Sequence, residues 1–332
     1  MNAPTQHKPH EQLAAFLASD MDAVNGLIRD RMASEHAPRI PEVTRHLVEA
    51  GGKRLRPMLT LATARMCGYP GPYHVHLAAT VEFIHTATLL HDDVVDESAQ
   101  RRGRPTANLL WDNKSSVLVG DYLFSRSFQL MTETGNMDVL RILSDASATI
   151  AEGEVLQLTA AQNLATDETI YMQVIRGKTA ALFSAATEVG GVIAGAPPST
   201  VKALFDYGDA LGIAFQIVDD LLDYQGQSQA TGKNVGDDFR ERKLTLPVIR
   251  AVALADAEER AFWARTIEQG KQTDGDLDHA LGLLHKHAAL TYTKETAIKH
   301  AARAKAALAP LPDHALKKML VDLSDYVVER IR

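Results

Sequence analysis

The spacing D-D-x-x-D occurs twice in the sequence, each time at the end of an apolar run. The six aspartates of the two clusters are Asp92, Asp93, Asp96, Asp219, Asp220 and Asp223. On a helix, positions i and i+4 are neighbours, with about 5–6 Å between their Cβ atoms. Carboxylates this close repel each other unless cations neutralise them, and hard cations such as Mg²⁺ favour oxygen ligands. A solvated helix end explains one such cluster equally well. Because chance rarely repeats the spacing, we predict that the two clusters form the walls of one metal site.

Two arginines, Arg101 and Arg102, follow the first cluster after four intervening residues. Mg²⁺ keeps several waters and is commonly shared with substrate phosphates, and arginine binds phosphate oxygens in a bidentate manner. The pattern therefore indicates a diphosphate substrate. The two clusters lie too far apart in sequence to form one local loop. We expect them to meet only if two helices face each other across a cavity.

Long stretches without proline predict an all-α fold. No proline lies between Pro105 and Pro197, between Pro198 and Pro247, or between Pro247 and Pro310. No hairpin of alternating β-branched residues around Asn-Gly or Asp-Gly is evident. Apolar residues at helical spacing predict helices over residues 11–32, 43–49, 58–66, 76–96, 115–131, 139–161, 168–189 and 201–224.

Composition excludes several classes of protein. The net charge of −7 gives no basic footprint for nucleic acid, and the single cysteine, Cys67, excludes an intramolecular disulfide. No apolar run is long enough to span a membrane, and the first residues lack an apolar signal core. We therefore expect a cytoplasmic protein, with a disordered lead over residues 1–10 and a single domain over residues 11–332. An oily product would have to be sheltered inside that domain.

The runs EFIHTATLLHDDVVDES and FQIVDDLLDY resemble the two aspartate-rich motifs of the trans-prenyltransferases, also called polyprenyl diphosphate synthases. The first run is especially similar to the octaprenyl and decaprenyl diphosphate synthases of bacteria. The resemblance extends from about Arg45 to the C-terminus. It implies the isoprenoid synthase fold, a helical bundle around a central cavity, and a homodimer. It also implies condensation of an allylic diphosphate with isopentenyl diphosphate, with three Mg²⁺ ions on the six aspartates.

The same resemblance assigns the other site residues. The isopentenyl diphosphate site would be formed by Lys53, Arg56, His85 and Arg102. The allylic diphosphate would be bound by Arg101, Lys178, Thr179, Gln216, Lys233 and Lys243, with Lys178 also catalytic. The glycines of GGKRLRP permit a sharp turn before a helix N-terminus, which favours anions. Glu152, Glu154 and Gln157 are further candidates for supporting the site.

Product length is expected to depend on the depth of the cavity below the first cluster. In the family, a bulky aromatic residue five positions before the first aspartate shortens the product, and Ala87 holds that position. Ideal helix geometry instead brings Thr88 closer to the direction of Asp92. Ile84 is the third candidate. Since Ala87 and Thr88 are both small, we predict a long product, C40 or C50, made from farnesyl diphosphate for a quinone side chain.

Other functions remain open to the sequence. A shorter-chain synthase producing C15 or C20 would use the same motifs. A class I terpene cyclase also carries a D-D-x-x-D motif, but the second full motif and GGKRLRP argue against it. A non-catalytic partner subunit tends to lose one aspartate motif, whereas both are intact here. A plain helical scaffold is the remaining alternative.

Overall fold

The computed structural model describes residues 8–49, 51–225 and 235–331, and helices dominate that part of the chain. The prediction of an all-α fold is confirmed. The first helices are α1 (Pro9–Phe16), α2 (Ala18–Met32), α3 (Arg39–Glu49), α4 (Leu55–Met66), α5 (Tyr73–Val95), α6 (Ala107–Leu110), α7 (Asn113–Glu133) and α8 (Met137–Ala160). They are followed by α9 (Glu168–Ile175), α10 (Ala181–Ile193), α11 (Pro198–Tyr224), α12 (Asp237–Arg240), α13 (Leu246–Leu254), α14 (Ala257–Trp263), α15 (Asp276–Lys286), α16 (Ala289–Leu308) and α17 (Ala315–Glu329). None of these helices is long and apolar enough to cross a membrane.

Contacts divide the chain into two compact units. The first comprises Met1–Ser147, Leu182–Phe205 and Leu311–Leu320, and the second comprises Ala148–Ala181, Asp206–Pro310 and Val321–Arg332. The first aspartate cluster belongs to the first unit and the second cluster to the second unit. The single domain over residues 11–332 stays a prediction. Helix α1 begins at Pro9, so the last two residues of the predicted disordered lead are helical.

Helix α5 is the centre of the first unit, where it packs against α2, α4 and α7. It is apolar on several sides, which is the pattern of a helix enclosed by others. The buried apolar side chains of α5 are Leu77, Ala78, Ala79, Val81, Phe83, Ile84, Ala87 and Leu90. This packing fixes the end of α5, where the first aspartate cluster lies.

A short hairpin follows α5 and was not predicted from the sequence. Strand β1 (Gln100–Arg101) pairs antiparallel with strand β2 (Arg104–Pro105). The two residues between them, Arg102 and Gly103, both have positive φ, at 53° and 73°. Positive φ at both central residues defines the tight turn that matches the twist of a two-residue hairpin. The hairpin therefore holds the arginine pair in a fixed position after the cluster.

The predicted helix over residues 168–189 is interrupted by a π-helical segment, π1 (Arg176–Ala180), between α9 and α10. A second segment, π2 (Ala264–Glu268), follows α14. Single π turns inside helices often occur at functional sites. The predicted helix over residues 11–32 is also interrupted, because α1 ends before Leu17 and α2 begins after it.

Candidate active site

The first aspartate cluster combines one enclosed carboxylate with two half-buried ones. Asp92 and Asp96 are partly exposed, and the Asp96 amide donates to the Asp92 carbonyl across 2.7 Å as α5 ends. Asp93 is fully buried. Arg101 places Nε 2.9 Å and Nη2 2.7 Å from the same Asp93 oxygen, Oδ1. The hairpin thus supplies the cation that balances the buried charge.

The other oxygen of Asp93 is a point where a metal fits. Oδ2 is buried and accepts no hydrogen bond from the described residues. A buried carboxylate oxygen without a donor is costly, and a cation or a water is its natural partner. Within residues 8–49, 51–225 and 235–331, no three metal-ligating side chains converge into a closed metal cage. Mg²⁺ does not require one, because it usually takes one or two carboxylates together with waters and substrate phosphates.

A cavity lined with arginines lies in the same unit as the first cluster. Its walls are formed by Leu47, Gly51, Arg54, Glu82, His85, Thr86, Leu89, Arg101 and Arg102. Arg54 and Arg102 both have left-handed backbone, with φ of 49° and 53°. Such conformations are strained for residues other than glycine and cluster at functional sites. The Arg102 guanidinium lies against Gly52, and glycine is favoured there because its φ of 150° is strained for residues with a Cβ.

His85 is neutral in this cavity. Arg56 Nη1 lies 3.2 Å from His85 Nε2, and arginine can only donate, so Nε2 accepts and the ring proton is on Nδ1. Burial first, and then repulsion from Arg56, Arg102 and other arginines, holds the pKa of His85 well below its ordinary value. The Arg56 guanidinium also lies 4.5 Å from the centre of the Phe183 ring. Lys53, the fourth predicted residue, is exposed and directly precedes Arg54 of the cavity wall in the chain.

Sequence reasoning missed the other two charged residues of this cavity, Arg54 and Glu82. Glu82 is buried on α5 and accepts a short hydrogen bond from Arg54 Nη1. Burial lowers the pKa of Arg102, and the Glu82 carboxylate opposes that shift. Glu82 therefore offsets part of the positive charge of the cavity. A carboxylate within the apolar run EFIHTATLL was the available signal, because a buried charge requires a partner.

The second aspartate cluster lies at the end of α11. Asp220 and Asp223 are buried, whereas the side chain of Asp219 is 38% exposed. Asp220 accepts hydrogen bonds from Gln216 Nε2 at Oδ1 (2.8 Å) and from the Tyr171 hydroxyl at Oδ2 (2.7 Å). Burial is the main cause that raises the pKa of Asp220 to about 6, and the two donors oppose it. Both donors therefore favour the ionised form of the carboxylate.

Two further contacts complete this cluster. Arg330, just after α17, places Nη2 2.8 Å from Asp219 Oδ1 and its guanidinium 5.5 Å from the centre of the Phe215 ring. Asp223 Oδ2 accepts from the Asp238 amide at 3.1 Å. No local pattern marks Arg330 or Tyr171, because both lie far along the chain from the aspartates they contact.

The π1 segment presents the predicted pair Lys178 and Thr179. Lys178 Nζ lies 2.9 Å from both carboxylate oxygens of Glu154, and Thr179 Oγ1 donates to Gln216 Oε1 at 2.7 Å. Glu154, a supporting candidate from the sequence, is thus the counter-ion of Lys178. Gly153 and Gly177 allow α8 and π1 to touch, since a Cβ on Gly153 would be 2.7 Å from the Lys178 amide nitrogen.

Lys243 and Lys233 are the two remaining residues predicted to bind the allylic diphosphate. Lys243 pairs with Glu241 at 2.6 Å, and its amide donates to the Asp238 carbonyl, so it lies on the turn bonded to Asp223. Lys233 lies outside the described residues. The roles of both lysines stay predictions.

The three candidates for product length lie on α5. Ala87 and Ile84 are buried in its packing, and the Thr88 hydroxyl donates to the His85 carbonyl of its own helix at 2.9 Å. The arginine-lined cavity touches α5 through other residues. Their part in setting product length therefore stays a prediction.

Comparison with known proteins gives a consistent result. The polyprenyl synthetase family model matches residues 37–284. The octaprenyl diphosphate synthase of Escherichia coli (strain K12) is 44% identical over 322 residues, which cover 97% of this chain and 99% of that protein.

Two solved structures are similar along almost the whole chain. The crystal structure of a decaprenyl diphosphate synthase from Rhodobacter capsulatus has a TM-score of 0.95 and 76% identity, covering 97% of this chain and 99% of that one. A polyprenyl synthase from Caulobacter crescentus CB15, complexed with calcium and isoprenyl diphosphate, has a TM-score of 0.92 and 48% identity. The match covers 98% of this chain and 99% of that one.

Proposed function

The chain belongs to the polyprenyl synthetase family, and from that premise we propose that it makes a long all-trans polyprenyl diphosphate for quinone side chains. It elongates an allylic diphosphate, farnesyl diphosphate, by repeated condensation with isopentenyl diphosphate until the product reaches C40 to C50. One observation carries this proposal: Arg101 lines the arginine-rich cavity and also binds the buried Asp93 of the first aspartate cluster. A diphosphate site and a candidate metal site therefore share one side chain.

Magnesium is part of this proposal. The residues that would hold it are Asp92, Asp93, Asp96, Asp219, Asp220 and Asp223, with three ions in the substrate complex. When bound, Mg²⁺ supplies charge neutralisation for the carboxylates and for the leaving diphosphate. The donor set supports this assignment, because oxygen ligands suit a hard cation and Asp93 Oδ2 is buried without a donor from the described residues.

The cationic and polar side chains of π1 and α11 bind the allylic diphosphate. Lys178 exchanges its contact with Glu154 for the diphosphate, and Thr179 and Gln216 orient it. Positive charge at this position stabilises the diphosphate as it leaves, so the C–O bond breaks and an allylic cation forms. The reaction requires that water be kept from this cation, because water would quench it.

The arginine-lined cavity binds the second substrate. Arg56, Arg102 and Lys53 hold the diphosphate of isopentenyl diphosphate, and neutral His85 donates from Nδ1. The bound alkene attacks the allylic cation, a new carbon–carbon bond forms, and loss of a proton restores a trans-allylic diphosphate. Holding the two substrates in register converts a bimolecular step into an effectively unimolecular one.

Three further features belong to the proposal. The single cysteine supports a cytoplasmic location. A homodimer follows from the family resemblance. Ala87, Thr88 and Ile84 set how far the growing chain extends past the first cluster. Because Ala87 and Thr88 are small, they leave room for a long chain.

The test is an incubation of the purified protein with Mg²⁺, farnesyl diphosphate and isopentenyl diphosphate, followed by chain-length analysis of the products. We expect a ladder ending at C40 to C50 that EDTA abolishes. Accumulation at C15 or C20 would keep the chemistry but contradict the long product. Consumption of farnesyl diphosphate without isopentenyl diphosphate would favour a cyclase. A folded protein that gives no elongation would favour a non-catalytic subunit.

A further inference from the structure

A chain of hydrogen bonds connects the predicted diphosphate-binding residues of π1 to a buried tyrosine. Thr179 donates to Gln216, Gln216 donates to Asp220, and Tyr171 donates to the other oxygen of Asp220, with lengths of 2.7, 2.8 and 2.7 Å. Tyr171 is 3% exposed. Every member of the chain belongs to the second unit. The network ties π1, α11 and α9 together at the second aspartate cluster.

The direction of each bond in this network is fixed. The amide oxygen of Gln216 accepts from Thr179, so its amide nitrogen faces Asp220. Tyr171 donates because an ionised carboxylate can only accept. Asp220 therefore receives one donor on each oxygen, and its carboxylate plane cannot rotate without breaking a bond.

Neighbouring aspartates in the cluster have different surroundings. Asp220 is 6% exposed and is held by the two neutral donors, whereas the side chain of Asp219 is 38% exposed. A neutral donor orients a carboxylate but leaves its negative charge available to a cation. A lysine or arginine in the place of Tyr171 would orient it and neutralise it as well.

We propose that Tyr171 is a positioning residue of the second aspartate cluster, whose hydroxyl holds Asp220, and through it Gln216 and Thr179, in the orientation that binds a divalent cation with the allylic diphosphate. The proposal rests on the proposed function for the identity of the substrate. Partners that hydrogen-bond to metal-binding carboxylates fix their orientation, and their loss typically lowers metal affinity about 10- to 100-fold.

The chain offers a matched control for removal of this hydroxyl. Tyr207 is another fully buried tyrosine of the second unit, and its hydroxyl bonds to Ser324 instead of the network. Tyr171→Phe and Tyr207→Phe each remove one buried hydroxyl that is hydrogen-bonded to another side chain. A purely structural role would give the two variants the same consequences.

The first measurement is a titration of the full-length, metal-free protein with Mn²⁺ in the presence of inorganic diphosphate. Electron paramagnetic resonance monitors how much Mn²⁺ is bound. We expect Tyr171→Phe to weaken binding about tenfold or more, while Tyr207→Phe binds like the wild type. Melting temperatures of both variants show whether each is folded. Equal Mn²⁺ binding by folded Tyr171→Phe and wild type would overturn the proposal, as would an equal loss in both variants.

The second measurement separates the two substrates. In steady state we expect Tyr171→Phe to raise the KM for farnesyl diphosphate and leave the KM for isopentenyl diphosphate unchanged. An equal rise in both would contradict a role at the allylic site. If the wild type binds Mn²⁺ and diphosphate but makes no product, the proposed function fails. The positioning role of Tyr171 is still decided by the binding measurement.

Discussion

The two aspartate clusters share a spacing but solve the problem of a buried carboxylate in opposite ways. In the first, Asp93 is balanced by the guanidinium of Arg101. In the second, Asp220 is held by the neutral donors Tyr171 and Gln216. A charged partner stabilises the ionised form by itself, whereas neutral donors only partly offset desolvation. Identical motifs therefore acquire different electrostatics from the elements that pack around them.

The difference follows from local structure. The hairpin after α5 places Arg101 beside Asp93 within a few residues of sequence. The second cluster has no such hairpin in the described part of the chain. Gln216 is a local partner on α11 itself, but Tyr171 and Arg330 come from α9 and from the residue after α17. The first cluster is thus assembled locally and the second through tertiary packing. Substitutions at the two clusters should reveal this contrast.

The largest effect is expected from Asp93→Asn. The change removes a proposed metal ligand and leaves Arg101 without its buried counter-ion. Loss of one preorganised electrostatic group typically costs about 10²–10³-fold in kcat, and we expect at least that decrease in the elongation assay. Asp138→Asn is the control, because Asp138 forms an exposed pair with Arg141. Wild-type kcat in folded Asp93→Asn would contradict the role of the first cluster.

A smaller loss is expected from Lys178→Gln in π1. Hydrogen bonds to charged groups contribute about 1.5–3 kcal/mol, equivalent to roughly 10- to 100-fold, so the KM for farnesyl diphosphate should rise by about that factor. Arg176→Gln is the matched control, because Arg176 lies in the same segment but pairs with Asp209 at 3.0 Å. If both variants raise the KM equally, Lys178 has no special contact with the allylic diphosphate.

Ala87→Phe is expected to change the product more than the rate. A larger side chain at this buried position of α5 should stop elongation early and shift the ladder to shorter products. Overpacking a core typically costs about 1–3 kcal/mol of stability, so the melting temperature should fall as well. Ala78→Phe overpacks the same helix elsewhere and should keep the long product. An unchanged product in Ala87→Phe would refute the assignment.

The smallest effect is expected from Arg330→Gln, which tests the only cationic contact found for Asp219 in the described chain. Removal of this charge should strengthen Mn²⁺ binding by at most about fivefold, because partly exposed pairs contribute about 0.2–1 kcal/mol. Lys305→Gln is the control, since Lys305 forms another partly exposed ion pair, with Asp325 at 2.6 Å. Weaker Mn²⁺ binding by Arg330→Gln would mean that the arginine supports the metal site instead of competing with it.

Much of the architecture could be predicted from patterns that are local in sequence. Helical periodicity and the absence of proline predicted the all-α fold, and D-D-x-x-D located the ends of α5 and α11. The π1 segment could not be predicted, because one extra residue in a turn leaves no mark on an apolar pattern. The hairpin was missed because its turn uses Arg102-Gly103 instead of the usual Asn-Gly or Asp-Gly.

The partners of the site residues were harder to predict for a different reason. Tyr171 and Asp220 are 49 residues apart, and Arg330 is farther still from Asp219. Such contacts depend on tertiary packing, which no local spacing encodes. Glu82 was missed as well, although a carboxylate inside an apolar helix is a local signal of a buried partner, here Arg54.

The most direct test of the central claim is a crystal structure with Mn²⁺, isopentenyl diphosphate and an unreactive thiolo analogue of farnesyl diphosphate. The anomalous signal of manganese locates each cation independently of the protein. We predict Mn²⁺ at the carboxylates of both clusters, the analogue's diphosphate bound to that metal, and isopentenyl diphosphate in the arginine-lined cavity. Diphosphate bound elsewhere, with no Mn²⁺ at either aspartate cluster, would contradict the account.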